Sequence, residues 1–165
     1  MNYYNENDSF AAQWLEELIK DGLIAAGEVD TRSIEDVEPN DLQDFKQCHF
    51  FAGIGGWAYA ARLSGWGDDR PMWTGSPPCQ PFSVAGAQRG EDDPRNLWPD
   101  TARLIRGLGV PIVFLENVPG ILRYYFDTIR PELREMGYEV TEGLFSAAET
   151  GAPHKRQRLF ILGYR

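Results

Sequence analysis

At 165 residues the chain has room for one domain and at most a small appendage. Its 42% hydrophobic content suffices for a core, but no run of about 18 apolar residues suits a membrane-spanning helix. Two cysteines do not make a disulfide framework. Met1 to Glu6 lacks a basic stretch followed by an apolar one, so no signal peptide is expected. These features point to a reducing cytoplasm and to no membrane partner. The net charge of −9 runs against a nucleic-acid partner until it is located. Residues 1–47 hold 12 of the 25 acidic residues and three of the 16 Lys and Arg, whereas residues 48–165 hold 13 of each. Twelve of those 13 basic residues are arginine, which suits phosphate and base contacts. DNA therefore stays open as a partner.

In chain order, residues 1–9 are polar. Phe10, Trp14, Leu15, Leu18 and Ile19 recur at helical spacing, with Ser9 as a cap and Gly22 as a stop. A short apolar piece at 23–26, a capping-box pattern from Ser33 to Asp36 and a turn at Pro39 follow. Residues 1–47 thus read as an acidic helical segment of small helices and loops. It serves either as a solvated cap or as a cover for a partner or cofactor.

The character changes at Gln47. An apolar strand at 48–52 runs into Gly53-Ile54-Gly55-Gly56, and a helix follows from Trp57 to Leu63. Strand, glycine turn and helix open a nucleotide-binding α/β unit, in which the turn lets a ligand approach the backbone and the helix N-terminus favours a negative group. Cys48 and His49 read as packed residues, and the few Cys and His show no zinc-ligand spacing.

A strand at 71–75 delivers the chain to Pro77-Pro78-Cys79-Gln80-Pro81-Phe82-Ser83. Proline fixes its own φ and restricts the residue before it, so this stretch suits a rigid loop presenting one thiol as a nucleophile. Residues 84–95, with Arg89, are small, glycine-bearing and charged, which fits a loop able to close over a substrate. A helix over 96–108, including Leu97, precedes the apolar strand 111–116. That strand ends on Glu116-Asn117-Val118, where α/β sheets place ligands. A helix over 121–136, a strand at 138–145, the basic run Pro153-His154-Lys155-Arg156-Gln157-Arg158 and a strand at 158–163 complete the chain.

Phe51 to Gly56, Pro77 to Phe82, Glu116 to Val118 and Pro153 to Arg158, in that order, resemble the catalytic domain of the cytosine-5 DNA methyltransferase family. The resemblance covers about residues 48–165 and is greatest to the short versions carried by phages and prophages. It implies a reduced Rossmann-like α/β fold, a mostly parallel sheet with helices on both faces. It also implies methyl transfer from S-adenosylmethionine to C5 of cytosine in DNA through a covalent Cys79 adduct. By resemblance, Cys79 is the nucleophile, Glu116 stabilises the ring at N3 and its amino edge, and Arg158 holds O2 with Arg156 beside it. Phe51, Ala52, Gly53, Ile54, Gly55, Gly56 and Leu97 then contact the cofactor. Pro78, Gln80, Ser83, Arg89, Asn117 and Val118 face the DNA.

The departures are specific. Only 18 residues lie between Gly56 and Gly75, too few for the strand–helix units in which the family carries an acidic ribose contact. Asp68 and Asp69 are the local substitutes, and weak cofactor binding is the expectation. His154 stands where the family usually has glutamine. The family's target-recognition domain and a final helix packed near the cofactor are missing from the motif order, and the N-terminal segment is a candidate to replace that helix. Three readings follow: a minimal methyltransferase, one half of a split enzyme whose protein partner supplies target recognition, or a non-catalytic DNA- or protein-binding regulator. A homodimer is the alternative to the protein partner.

Overall fold

Tyr3 and Tyr4, read as part of a polar tail, are 2% and 0% exposed. In a computed structural model, which describes residues 1–78 and 96–165, they lie in strand β1 (Asn2–Asn5). Helix α1 (Ser9–Lys20) and strand β2 (Gly27–Asp30) follow, and β1 pairs in parallel with β2 from Asn2↔Gly27 to Asn5↔Asp30. The expected small helices and loops are therefore corrected to a β–α–β unit. Asp8, not Ser9, caps α1: its carboxylate accepts the Ala11 N–H at 2.9 Å. The apolar stripe of α1 then buries Ala12 and Leu15 against the sheet.

The remaining strands are β3 (Gln47–Phe50), β4 (Met72–Gly75), β5 (Ile112–Asn117), β6 (Glu139–Ser146) and β7 (Gln157–Tyr164). Among the described residues, seven strands form one sheet in the order β2-β1-β3-β4-β5-β7-β6. Pairing is parallel from β2 through β5, and β7 runs antiparallel to both its neighbours. The five strands expected from the sequence all lie in it. It holds seven strands and not only the five expected, because β1 and β2 extend it beyond β3. Gln47, where composition changes, opens β3, and β3 pairs with β1 from Tyr3↔Cys48.

Alternation along the strands divides the core between two faces. Tyr3, Cys48, Phe50, Trp73, Val113 and Leu115 point to one face. There they meet α3 (Trp98–Leu108) and a helical stretch built from α4 (Leu122–Tyr124), a π-turn (Tyr125–Ile129) and α5 (Arg130–Glu135). Tyr4 points to the other face, to α1 and α2 (Gly56–Leu63). Helices on both faces of a mostly parallel sheet agree with the sequence expectation. No helix of the described residues is long and apolar enough to cross a membrane.

His49 sits centrally on the α1–α2 face, in register with Tyr4 and Thr74. It is 1% exposed, stacks on Tyr4 at 5.2 Å, and its Nδ1 lies 2.7 Å from Thr74 Oγ1. Burial lowers its pKa from 6.5 to about 4. The unfolded chain thus takes up this proton first as pH falls. The stability that the neutral ring contributes is complete above about pH 6.5 and is lost progressively toward pH 4, by about 3 kcal/mol at most. Urea midpoints between pH 7 and 5 should fall more steeply for the native chain than for His49→Gln. Identical slopes would show that folding does not lower the pKa of His49.

Candidate functional site

The parallel strands β1, β3, β4 and β5 end at one edge of the sheet, and antiparallel β7 begins there. This juxtaposition brings distant stretches of sequence together. From β3 the chain enters the glycine turn, with Phe51, Gly53 and Gly55 at φ of 51°, 53° and 79°. Left-handed backbone is cheap for glycine and costly for phenylalanine, so Phe51 marks local strain. A side chain at Gly55 would crowd Leu15 and Leu18 of α1, at 3.3 and 3.2 Å. The turn therefore lies tightly under α1, and α2 starts directly from it.

The end of β1 anchors the turn. Glu6 Oε2 accepts the Gly53 N–H at 2.7 Å, and Asn5 O accepts the Ala52 N–H at 3.0 Å. The Asn5 side chain donates to the carbonyls of Asp30 and Arg32, at 3.3 and 2.9 Å. Arg32 is held by Asp30 at 2.7 Å and Asp41 at 2.9 Å. Glu6, Asn7, Arg32, Ser33 and Ile34 line a narrow pocket with Phe51, Pro78 and Leu97. Sequence reading missed all of these except Phe51, Pro78 and Leu97.

On the other side of Phe51 a cleft of about 570 Å³ opens along the turn. Ala52, Gly53, Ile54 and Gly56 form one wall, and Glu116, Arg156 and Arg158 the other. Trp57 and Phe160 also line it, with ring centroids 6.0 Å apart, and Trp57 Nε1 donates to Ser76 Oγ at 3.0 Å. Glu116, at the end of β5, forms an ion pair with Arg158, whose Nε lies 2.7 Å from a carboxylate oxygen. Both side chains are about one-fifth exposed, so the pair is partly shielded yet reachable. Arg156 has φ of 33°, a second non-glycine residue in left-handed backbone at the same cleft.

Beyond Glu116 a smaller hollow is lined by Pro77, Pro78, Asn117, Val118 and the two arginines. Asn117 is 5% exposed, and its side chain donates to Pro77 O at 3.1 Å and accepts from Val118 N at 2.9 Å. This residue ties the end of β5 to the strand-to-loop path that leads to Cys79. Cys79, Gln80, Ser83 and Arg89 lie outside the described residues. Gly55 packs under α1 and lines none of these hollows.

One expectation is corrected. Asp68 is not at the glycine turn: it follows the opposite end of α2, where it pairs with Arg62 at 2.7 Å. Asp69 is its sequence neighbour and also lines none of these pockets. The N-terminal segment lays α1 over the glycine turn, with Leu15 and Leu18 closest to Gly55. It adds strands next to β3, and its acidic residue at the turn is Glu6. A carboxylate just past a pair of tyrosines was the only signal in the sequence, and it gains meaning once β1 is seen to lie beside β3.

A sequence model of the C-5 cytosine-specific DNA methylase family matches residues 68–165. The type II methyltransferase M.AplI of Arthrospira platensis is 42% identical over 94 residues, 55% of this chain and 27% of its own. M.DdeI of Desulfomicrobium norvegicum is 37% identical over 99 residues, 55% of this chain and 24% of its own. The chain thus spans about a quarter of the length of these relatives. Among solved structures, a Spodoptera frugiperda DNMT2 mutant matches 99% of this chain and 42% of its own, at a TM-score of 0.61 and 20% identity. Schizosaccharomyces pombe Dnmt2 gives 0.59 at 17% identity, covering 99% of this chain and 50% of its own. At these identities the structures speak to the fold. The family match extends over more than half of the chain and includes both Glu116 and Arg158, so the chain belongs to the C-5 cytosine-specific DNA methylase family.

Proposed function

We propose that this chain forms the cofactor-binding and catalytic part of a DNA methyltransferase that modifies C5 of cytosine. The observation that carries the reading is the Glu116–Arg158 pair, which faces the glycine turn across one cleft and adjoins the hollow at Pro78. Cys79, the next residue, is the nucleophile in this reading.

The residues at the turn fit S-adenosylmethionine. A Cβ on Gly53 or Gly56 would meet nothing within 4 Å, so this stretch of backbone has open space beside it. Exposed N–H groups at the start of α2 suit the carboxylate of the methionine end. Each oxygen of Glu6 accepts one backbone N–H, from Gly53 and from Asp8, and keeps a lone pair for a ribose hydroxyl. In this reading Glu6, just after β1, supplies the acid that the stretch after Gly56 lacks, and ordinary affinity replaces weak binding as the expected result. When bound, S-adenosylmethionine supplies an electrophilic methyl group.

The protein's part follows from the chemistry of the base. C5 of cytosine is a poor nucleophile. The Cys79 thiolate adds to C6, and the electron pair moves toward N3, where Glu116 stabilises it by hydrogen bonding or proton donation. C5 then becomes enamine-like and accepts the methyl group. A base removes the C5 proton, the C5–C6 double bond re-forms and the thiolate leaves. Arg158 holds both Glu116 and the O2 edge, and Arg156 contributes positive charge that also favours the thiolate. The target base must leave the duplex to reach these groups. Target recognition is assigned to a protein partner or a second copy of the chain.

The test is incubation of cytosine-containing DNA with methyl-labelled S-adenosylmethionine, with and without a candidate recognition partner. The expected product is 5-methylcytosine. Cofactor binding with no label in any DNA would favour the non-catalytic regulator.

A further inference from the structure

We infer that Arg103 is a positioning residue for the nucleoside end of the cofactor, holding two walls of the narrow pocket together. The inference rests on the ribose contact proposed for Glu6, which lines that pocket and so assigns it to the nucleoside. One wall is Arg32-Ser33-Ile34; another is Leu97, the residue that precedes α3.

The first wall is pinned at Arg32 by Asp30, Asp41 and Asn5, and its other end depends on the turn that follows. It leads into a 3-10 turn of three residues, Ile34–Asp36, closed by the hydrogen bonds Asp36 N–H to Ser33 O and Val37 N–H to Ile34 O. So short a turn is not self-sustaining. Arg103, on α3, reaches across to it. Its Nη2 donates to the carbonyls of Val37 at 2.9 Å and of Ile34 and Glu35 at 3.3 Å. Its Nη1 pairs with Glu38 at 3.2 Å. A guanidinium at the carbonyl end of a helical turn satisfies acceptors that the turn leaves open.

The second wall belongs to the same helix. Leu97 O accepts both the N–H and the hydroxyl of Thr101, at 3.1 and 2.8 Å, which fixes the start of α3. Arg103 therefore sets the distance between Ile34 and Leu97. One turn further along the same face, a Cβ at Gly107 would stand 2.6 Å from Pro39 Cγ, so α3 also lies flush against the end of this loop. Ile34 and Val37 pack beneath it with Leu104 and Ile105.

The test uses the full chain and S-adenosylhomocysteine as the probe. Arg103→Met keeps the aliphatic stem and removes every donor. It is expected to weaken binding about tenfold at a temperature well below its melting point. In its complex, hydrogen exchange at amides 33–37 should be faster than in the native complex. Arg103→Lys retains one charged donor and is expected to lose about threefold. Arg123→Met, on the exposed surface of α4, should bind as the native chain does. A folded Arg103→Met with native affinity would overturn the inference and leave the proposed function standing. So would weaker binding with unchanged exchange at 33–37. If Arg103→Met does not fold, native affinity in Arg103→Lys would still overturn it. A native chain that does not bind S-adenosylhomocysteine would remove both.

Discussion

Replacing Glu116 with alanine is expected to slow methyl transfer by about a hundred- to a thousandfold, the usual cost of losing one group that stabilises developing charge. The effect should fall on kcat, because Glu116 lines the cleft proposed for the base and not the narrow pocket proposed for the nucleoside. Arg158→Ala should act on the same step. Its Nε is 2.7 Å from Glu116, so removing it frees the carboxylate to turn away from the ring. The two losses should not add: a double variant should be little slower than the slower single one. Single-turnover rates with saturating cofactor measure this. Additive losses would mean that the pair does not work as a unit.

Glu6→Ala should weaken S-adenosylmethionine binding by about one to two orders of magnitude. Two consequences combine. The carboxylate that would receive the ribose hydroxyls is gone, and the Gly53 N–H loses its 2.7 Å acceptor, which loosens the turn itself. Glu6→Gln keeps a neutral acceptor and should lose less. Asp68→Ala, whose carboxylate pairs with Arg62 at the far end of α2, should leave affinity unchanged. Titration calorimetry with each variant separates the two acids. Native affinity in Glu6→Ala would show that the ribose contact lies elsewhere.

The right half of the sheet was legible because its signals are local. A glycine turn after an apolar strand, two prolines before a cysteine, and a carboxylate closing an apolar run each mark a strand end without reference to the rest of the chain. The left half was not. β1 is four residues long, with asparagine at both ends, and asparagine is depleted in strands. Asn5 is buried because its side chain satisfies the carbonyls of Asp30 and Arg32, partners 25 and 27 residues away. β2 starts at Gly27, where a Cβ would stand 2.4 Å from Asn2 O, so this glycine signals a close approach of strands and not a turn. Between Gly56 and Gly75 there is no room for further strand–helix units, and β1, α1 and β2, which come before the glycine turn, extend the sheet instead. A reading that follows chain order looks for the acid after the turn and passes over Glu6. Arg103 was hidden for a related reason: on a helix it reads as a solvated cation, and its carbonyl partners lie more than 60 residues earlier.

The central claim is that Cys79 forms a covalent bond to cytosine within this site, and capture on DNA containing 5-fluorocytosine tests it most directly. Fluorine cannot leave as a cation after methyl transfer, so the adduct should persist. A complex that survives denaturation should form only when S-adenosylmethionine is present, and peptide mapping should place the link at Cys79. Cys79→Ser should give none. Cys48→Ser should still give it, because Cys48 is fully buried on β3 and burial pushes its thiol pKa well above the ordinary range. Methyl transfer that persists in Cys79→Ser, or an adduct mapped to another residue, would contradict the account.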